Sequence, residues 1–389
     1  MEPTILQPPF LDLREITRNC AEAQLGEAAT QTLLDLAQRI VATPAVCAIV
    51  SAAHHCVYET TDDYTAATQQ ADAVMGAEAD LLHALLVLDC IRLVREKHAQ
   101  RGVPSEISRA VSQRHAIAWL RDAIEQRGHV GISDWIPGWC RTVGSGELYR
   151  LGRLEFVLKA WDYPFRGYAN THTHKAIVLA EAGQQFNDDG YFGGSVTWTT
   201  TLSATDDAVI GFPISPEGYA LQQQVRLPAT EWHLALKHGD PVLDIHVPAE
   251  GALTIEALRD ALRQAETFFD HYYPQRPFVA YVCDSWLFSP QLQAMLPPDS
   301  NILRWQREGY LLPGEDDSES FLTFTFGSKT IDIATAPQDT RLQRAVIAHL
   351  AANGKLYCGS WVLLRSDLNR FGTQPYRQAF ARAITRVWA

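Results

Sequence analysis

The sequence predicts an α/β (α+β) chain: an all-helical domain first, then a mixed, mostly antiparallel sheet with a βαβ crossover. Three observations lead there. Before residue 140, glycine is rare and apolar residues recur every three or four positions. From Glu147 onward, short runs rich in β-branched and aromatic residues alternate with turn residues. The second half also holds a strand–helix–strand order, and a connection of that length must be a crossover between parallel or splayed neighbours.

Each element has its own signal. Leu33, Leu34, Ala37 and Ile40 form one helical stripe; Leu81, Leu82, Leu85, Leu88 and Leu93 form a longer one. Ile107, Val111, Ile117, Leu120 and Ile124 continue the pattern to a stop at Gly128. The glycine- and proline-rich stretch I-P-G-W-C-R-T-V-G-S-G then marks a boundary, giving a helical domain over 1–140 and a sheet domain over 141–389. The segments L-Y-R-L-G-R-L-E-F-V-L, A-V-I-G-F, V-L-D-I-H-V and F-V-A-Y-V-C read as strands. Between 147 and 236 the loops have hairpin length, so that part of the sheet should be antiparallel. Strand 242–247, helix 254–270, strand 277–287 and helix 289–308 follow. Thr254 can cap the first of these helices, Glu256 suits its first turn, and Ile255, Leu258, Leu262, Ala265 and Phe269 make its buried stripe. The acidic run Pro313 to Ser320 reads as a solvated turn.

Composition narrows the class of function. The chain has 389 residues, 47% hydrophobic and 20% charged, which describes a folded protein with room for two domains. A net charge of −12 argues against nucleic acid or an anionic membrane as partner. The seven cysteines are scattered and never spaced as C-x-x-C, which fits reduced thiols of a cytoplasmic protein and gives neither a disulfide framework nor a zinc site. The N-terminal residues lack the pattern of a signal peptide, and no apolar run reaches the roughly 20 residues of a membrane span. H-E-x-x-H, G-x-S-x-G, a Walker loop and G-x-G-x-x-G after a strand are all missing, which excludes metalloproteases, α/β-hydrolases, P-loop NTPases and dinucleotide-binding enzymes. The pair of histidines in T-H-T-H (171–174) has no third ligand nearby and reads as an exposed loop, so no metal is expected.

The stretch V-L-D-I-H-V-P-A-E-G-A-L-T-I-E-A-L-R-D-A-L (242–262) carries the most chemistry. Alternation puts Leu243, Ile245 and Val247 on one face and Asp244 and His246 on the other. A glycine turn follows, and a helix starts at once. Strand–glycine turn–helix presents backbone N–H groups to an anion, and it is also ordinary α/β punctuation. Together with L-G-R-L-E-F (151–156), C-D-S-W-L (283–287) and P-P-D-S-N-I-L-R-W-Q (297–306), this segment resembles a bacterial family of acyltransferase-domain proteins. Those proteins pair a helical N-terminal domain with a C-terminal domain like that of the GNAT acyltransferases.

The resemblance implies an acyl-CoA-dependent N-acyltransferase, with acetyl-CoA or another acyl-CoA as co-substrate and an amine as acceptor. It places the pyrophosphate of the coenzyme on Val247, Ala249, Gly251, Ala252, Leu253 and Thr254. Two departures stand out. The loop contains Glu250 and no basic residue, and Trp305 occupies the slot where many GNATs have a tyrosine that protonates the departing thiolate; an indole N–H cannot do so. The reaction needs a base, an oxyanion donor and a grip on the coenzyme. His246 is the first candidate base because imidazole titrates near neutrality. Glu155 is the second, its alternative being an ion pair with Arg153. Ser285 is a candidate donor, sharing a face with Tyr281 and Cys283. The alternatives are a non-catalytic CoA- or small-molecule-binding protein that kept the fold, and thioester chemistry through Cys283.

Overall fold

The computed structural model describes residues 8–133, 135–173, 175–193, 195–377 and 380. The chain divides into two compact units, Met1–Arg150 and Leu151–Ala389. The expected boundary at 140 lies inside a helix, Pro137–Gly144, whose Cys140 and Val143 are buried and which packs on the helical unit's central helix. That burial carries the helical unit past the glycine-rich stretch.

The helical unit contains α1 (Leu13–Ala23), α2 (Glu27–Ala42), α3 (Pro44–Tyr58), α4 (Thr65–Met75), α5 (Ala79–Gln100), α6 (Ser105–Ser112), α7 (Ala118–Arg127) and α8 (Pro137–Gly144). α5 is its axis: from Leu82 to Val94 every side chain is buried, because α1, α2, α4, α6 and α8 all pack on it. A helix covered on all sides must be apolar all round or have its polar groups paired. α5 meets the second condition at Asp89, which is bonded both by Arg92 and by His54 of α3. A π-helical turn, Gln113–Ile117, joins α6 to α7, and the run ends at Gly128 as the periodicity predicts.

The main sheet holds β1 (Leu148–Leu151), β2 (Leu154–Ala160), β3 (Pro241–His246), β4 (Ala280–Ser285), β5 (Tyr310–Asp316) and β6 (Tyr357–Leu364), in the order β1-β2-β3-β4-β6-β5. β2 runs antiparallel to β3, β3 parallel to β4, and β4 antiparallel to β6. The crossover from β3 to β4 is α9 (Ile255–Tyr272), whose N-terminus Thr254 caps by accepting from Ala257 N at 3.2 Å. Ile255, Leu258, Ala261, Leu262, Ala265, Phe268 and Phe269 form its buried stripe. Mixed topology with a βαβ crossover therefore arises where alternation and helical periodicity predict it.

Three expectations change. The strands between 165 and 236 do not extend the main sheet. Five of them form a second antiparallel sheet and three a third, because Tyr168, Ile177, Leu179, Val225, Leu227 and Trp232 bury one another in a core of their own. The helix expected over 289–308 is two helices, α10 (Leu292–Met295) and α11 (Asn301–Glu308), since Pro297 and Pro298 deny backbone donors between them. The acidic run is not a turn: Pro313 to Asp316 continue β5, and Asp317 caps α12 (Ser318–Phe326) by accepting from Ser320 N at 3.0 Å. α13 (Arg341–Ala351) follows before β6.

Candidate active site

The central pair of strands separates at one end. β3 and β4 are in register from Val242↔Ala280 to Asp244↔Val282, and their pairing stops there. β3 continues to His246 bonded only to β2, while β4 continues to Ser285 bonded only to β6. The result is a fork that opens beyond Asp244 and faces the loop leading into α9. At its base the Cys283 thiol donates to the Ile245 carbonyl at 3.1 Å, which satisfies an acceptor the interrupted ladder leaves over.

Period-two alternation sorts the candidates across this fork. His246 is directly opposite Glu155 in the β2–β3 ladder, so their Cβ atoms are about 5 Å apart on one face. Glu155 is buried and His246 partly exposed. Ser285 is on the opposite face, with Tyr281 and Cys283, and its hydroxyl accepts from Leu287 N at 3.2 Å to cap a short 3-10 turn. The structure thus brings His246 and Glu155 together and leaves Ser285 apart. Tyr281 is turned into the α9 packing, donating to the Leu262 carbonyl at 3.0 Å. Burial pushes the Cys283 thiol well above its ordinary range, and the nearby Asp244 and Asp284 push it further. A thiol held protonated and donating is a poor nucleophile.

The loop from Val247 to Thr254 turns at Gly251, whose φ of 75° lies in the left-handed region that glycine adopts without strain. Ala252 and Leu253 follow, and the first-turn amides of α9 have no helical carbonyl to bond. No basic residue lies within the loop, but one reaches it. Arg153, carried on the β1–β2 turn, donates to the Pro248 carbonyl at 2.8 Å and to the Gly251 carbonyl at 3.0 Å. That turn sits close to α9 because Gly152, at φ 61°, would put a Cβ only 3.3 Å from Ala261. The guanidinium draws the loop's carbonyls to one side and supplies positive charge beside Glu250. Sequence spacing hides this, since Arg153 and Gly251 are far apart along the chain.

The face that carries His246 holds further groups that the sequence reading did not assign. Lys159 on β2 lies 3.3 Å from Asp244 and 3.8 Å from Asp284, and donates to the Tyr163 hydroxyl at 3.1 Å. Asp244 lies 3.7 Å from His246 Nε2. Tyr163 and Ser360 each donate to one oxygen of Asp284. Burial raises the Asp244 carboxyl above its ordinary range, while Lys159 and His246 hold it down. Burial raises the Tyr163 phenol, and Asp284 adds to the rise, so Tyr163 keeps its proton and acts as a donor.

The remaining candidates are structural. Trp305 is buried against Phe288 and Trp361, with ring centroids 5.0 and 5.9 Å away. Thr171 to Thr173 form an exposed turn, as expected, and His174 lies outside the described residues. Among the described residues no group of histidines, cysteines and carboxylates has a metal-binding arrangement.

Two family models match this chain: an N-acyltransferase N-terminal domain over residues 14–146 and a GNAT-like C-terminal domain over residues 148–363. No curated protein matches it. Solved structures of similar fold include an acyltransferase mutant in complex with octanoyl-CoA and an acyltransferase in complex with decanoyl-CoA and teicoplanin. Each is 22% identical, with a TM-score of 0.58 over 90% of this chain and 88% of the other. A third, in complex with CoA and 10C-teicoplanin, is also 22% identical, with a TM-score of 0.57 over 90% of this chain and 87% of the other. At this identity the likeness is one of fold.

Proposed function

The chain belongs to the family defined by the GNAT-like C-terminal domain, and we propose that it works as an acyl-CoA-dependent N-acyltransferase. The observation that carries the reading is the fork: β3 and β4 part immediately before His246, beside a glycine loop that opens a helix. An extended thioester arm entering such a gap meets backbone groups freed by the broken ladder, while loop amides and Arg153 sit where a pyrophosphate would lie. The octanoyl and decanoyl chains of the similar structures favour an acyl group longer than acetyl. The acceptor is a primary amine.

In this reading the amine nitrogen attacks the thioester carbonyl carbon, a C–N bond forms, and the tetrahedral intermediate expels the coenzyme thiolate as the C–S bond breaks. His246 takes the proton that the nitrogen loses, and the thiolate takes up one proton on release. Glu155, directly across the ladder, is the reserve base. We assign Ser285 no step, since it lies on the face opposite His246.

Melting curves with acetyl-, octanoyl- and decanoyl-CoA test binding. A thioester at about 100 times its Kd should add about 2.7 kcal/mol of stability. If none of the three shifts the melting temperature, the reading is overturned. Release of CoA in the presence of small primary amines tests turnover, and His246→Ala should lower it by roughly 10²–10⁴-fold without weakening thioester binding. A protein that binds the thioesters and releases no CoA with any amine would be the degenerate binding module that Glu250 and Trp305 also suit.

A further inference from the structure

Across the sheet face at the fork runs a polar chain: Ser360 of β6, Asp284 of β4, Tyr163 after β2, Lys159 of β2, Asp244 and His246 of β3. We infer that Asp244, held in place by Lys159, is a positioning residue that turns the His246 imidazole toward the fork and stabilises it once it has accepted a proton. The inference rests on His246 being the base of the proposed reaction.

The strand register supports it first. Asp244 is the last residue of β3 bonded on both sides, to Val157 of β2 and Val282 of β4. His246, two residues on and on the same face, is held only from the β2 side. The carboxylate thus stands where the ladder is complete on both sides and the imidazole where it has narrowed to one. Charge supports it second. Among the described residues Lys159 is the ammonium in contact with both Asp244 and Asp284, so these two carboxylates lack a second positive charge while His246 is neutral. An imidazolium supplies it. At 3.7 Å the Asp244–His246 pair is a charge contact with little value to a neutral ring and more to a charged one. That is the differential interaction a base needs, because it favours the state reached after proton transfer over the state before it.

Ionisable groups around His246, among the described residues, enter the balance. Glu155 stands opposite on β2, Asp244 on its own strand, Lys159 farther along β2, and Asp284 and Tyr163 across the fork. Removing a carboxylate from this set lowers the basicity of the imidazole; removing the ammonium raises it. An ion pair too far from the ring to act on it gives no such opposed response.

The test is a titration of the His246 ring signal in ¹³C-histidine-labelled resting protein, the signal being identified by its loss in His246→Gln. Asp244→Asn should move the midpoint down by about one unit, a tenfold change in proton affinity, and Lys159→Met should move it up. The ascending limb of octanoyl-CoA turnover with hydroxylamine as acceptor should move the same way in each variant. Midpoints that stay put in both variants overturn the inference. Should Asp244→Asn not fold, Lys159→Met decides alone: a rise supports the inference and an unchanged midpoint overturns it. If His246→Gln turns over at the native rate, the base assignment falls and takes this inference with it. If His246→Gln is inactive but the midpoints do not move, only the positioning role of Asp244 falls.

Discussion

The helical unit and the sheet unit each contain a histidine, an aspartate and a cation in contact, and the two sets behave differently. In the helical unit Asp89 is buried and receives both Nε and Nη2 of Arg92 at 2.7 Å, with His54 Nε2 at 2.9 Å. The His54 ring is stacked on Phe10 at 4.2 Å. In the sheet unit Asp244 has Lys159 at 3.3 Å and His246 at 3.7 Å, and the imidazole is part-exposed at the end of a strand. Guanidinium matches a carboxylate with a rigid fork, whereas an ammonium on a flexible stem offers a point charge. The closed set is buried, whereas the open set carries a part-exposed imidazole. Residue types alone do not make a site. Exposure at the end of a strand distinguishes the second set from the first.

The largest effect that sharpens this contrast is on stability. Asp89→Ala leaves the Arg92 guanidinium and His54 buried without their shared partner, and should cost about 3–5 kcal/mol in denaturant unfolding. Turnover per folded molecule should be unchanged. Asp244→Asn should do the reverse, moving unfolding little and turnover much. Burial raises the Asp89 carboxyl, yet the bonds from His54 and Arg92 outweigh it and hold its pKa below the ordinary value. Its contribution is therefore present above the unfolded carboxyl pKa and lost as pH falls through the lower folded one. An Asp89→Ala protein as stable as the native one would remove the distinction between closed and open sets.

How much of this was legible depends on the range of each interaction. Alternation around Asp244 and His246, the Thr254 cap and the stripe of α9 are local, and the sequence displays them directly. The pairing of His246 with Glu155 depends on strand register, which no local pattern fixes. Arg153 reaches Pro248 and Gly251 only because the β1–β2 turn closes on α9, a contact that the loop's own composition does not reveal. Lys159 was missed in the same way, being a polar residue near the end of a strand until the sheet sets it beside Asp244. The break at Pro297 and Pro298 is local too: two prolines in a row override the helical periodicity on either side of them.

A smaller effect separates the units by pH. His98 in the helical unit is fully buried, its Nδ1 at 3.0 Å from the Ser108 hydroxyl and its ring stacked on Tyr149. Burial, with help from Arg101, pushes its pKa down to about 4. A depressed folded pKa means that the unfolded chain binds the proton first. The contribution is complete above the unfolded value of about 6.5 and is lost as pH falls toward about 4, for at most about 3 kcal/mol. His98→Gln should flatten that part of the stability curve. The check is the difference between native and variant unfolding at about pH 7 and about pH 4.5, since the carboxyls titrate equally in both. An identical slope in the two proteins would assign the pH response elsewhere.

The smallest effect falls at the base of the fork and decides whether the sheet unit holds a nucleophile beside the base proposed for it. Cys283 is buried, its thiol raised well above the ordinary range, and its Sγ donates to Ile245 O at 3.1 Å. Each of these keeps sulfur as S–H, and nucleophilic attack needs the thiolate. Cys283→Ala removes the donor from a buried carbonyl and leaves a small void; because S–H is a weak donor, the cost should be about 1 kcal/mol. Cys283→Ser restores a donor and should recover part of it. Neither substitution touches the face that carries His246, so both proteins should keep their turnover per folded molecule. The decisive pair of measurements is unfolding free energy and CoA release on the same preparation of Cys283→Ser. A protein that folds normally but has lost turnover would mean that the acyl group passes through sulfur, and the fork would then resemble neither a closed structural set nor a simple base.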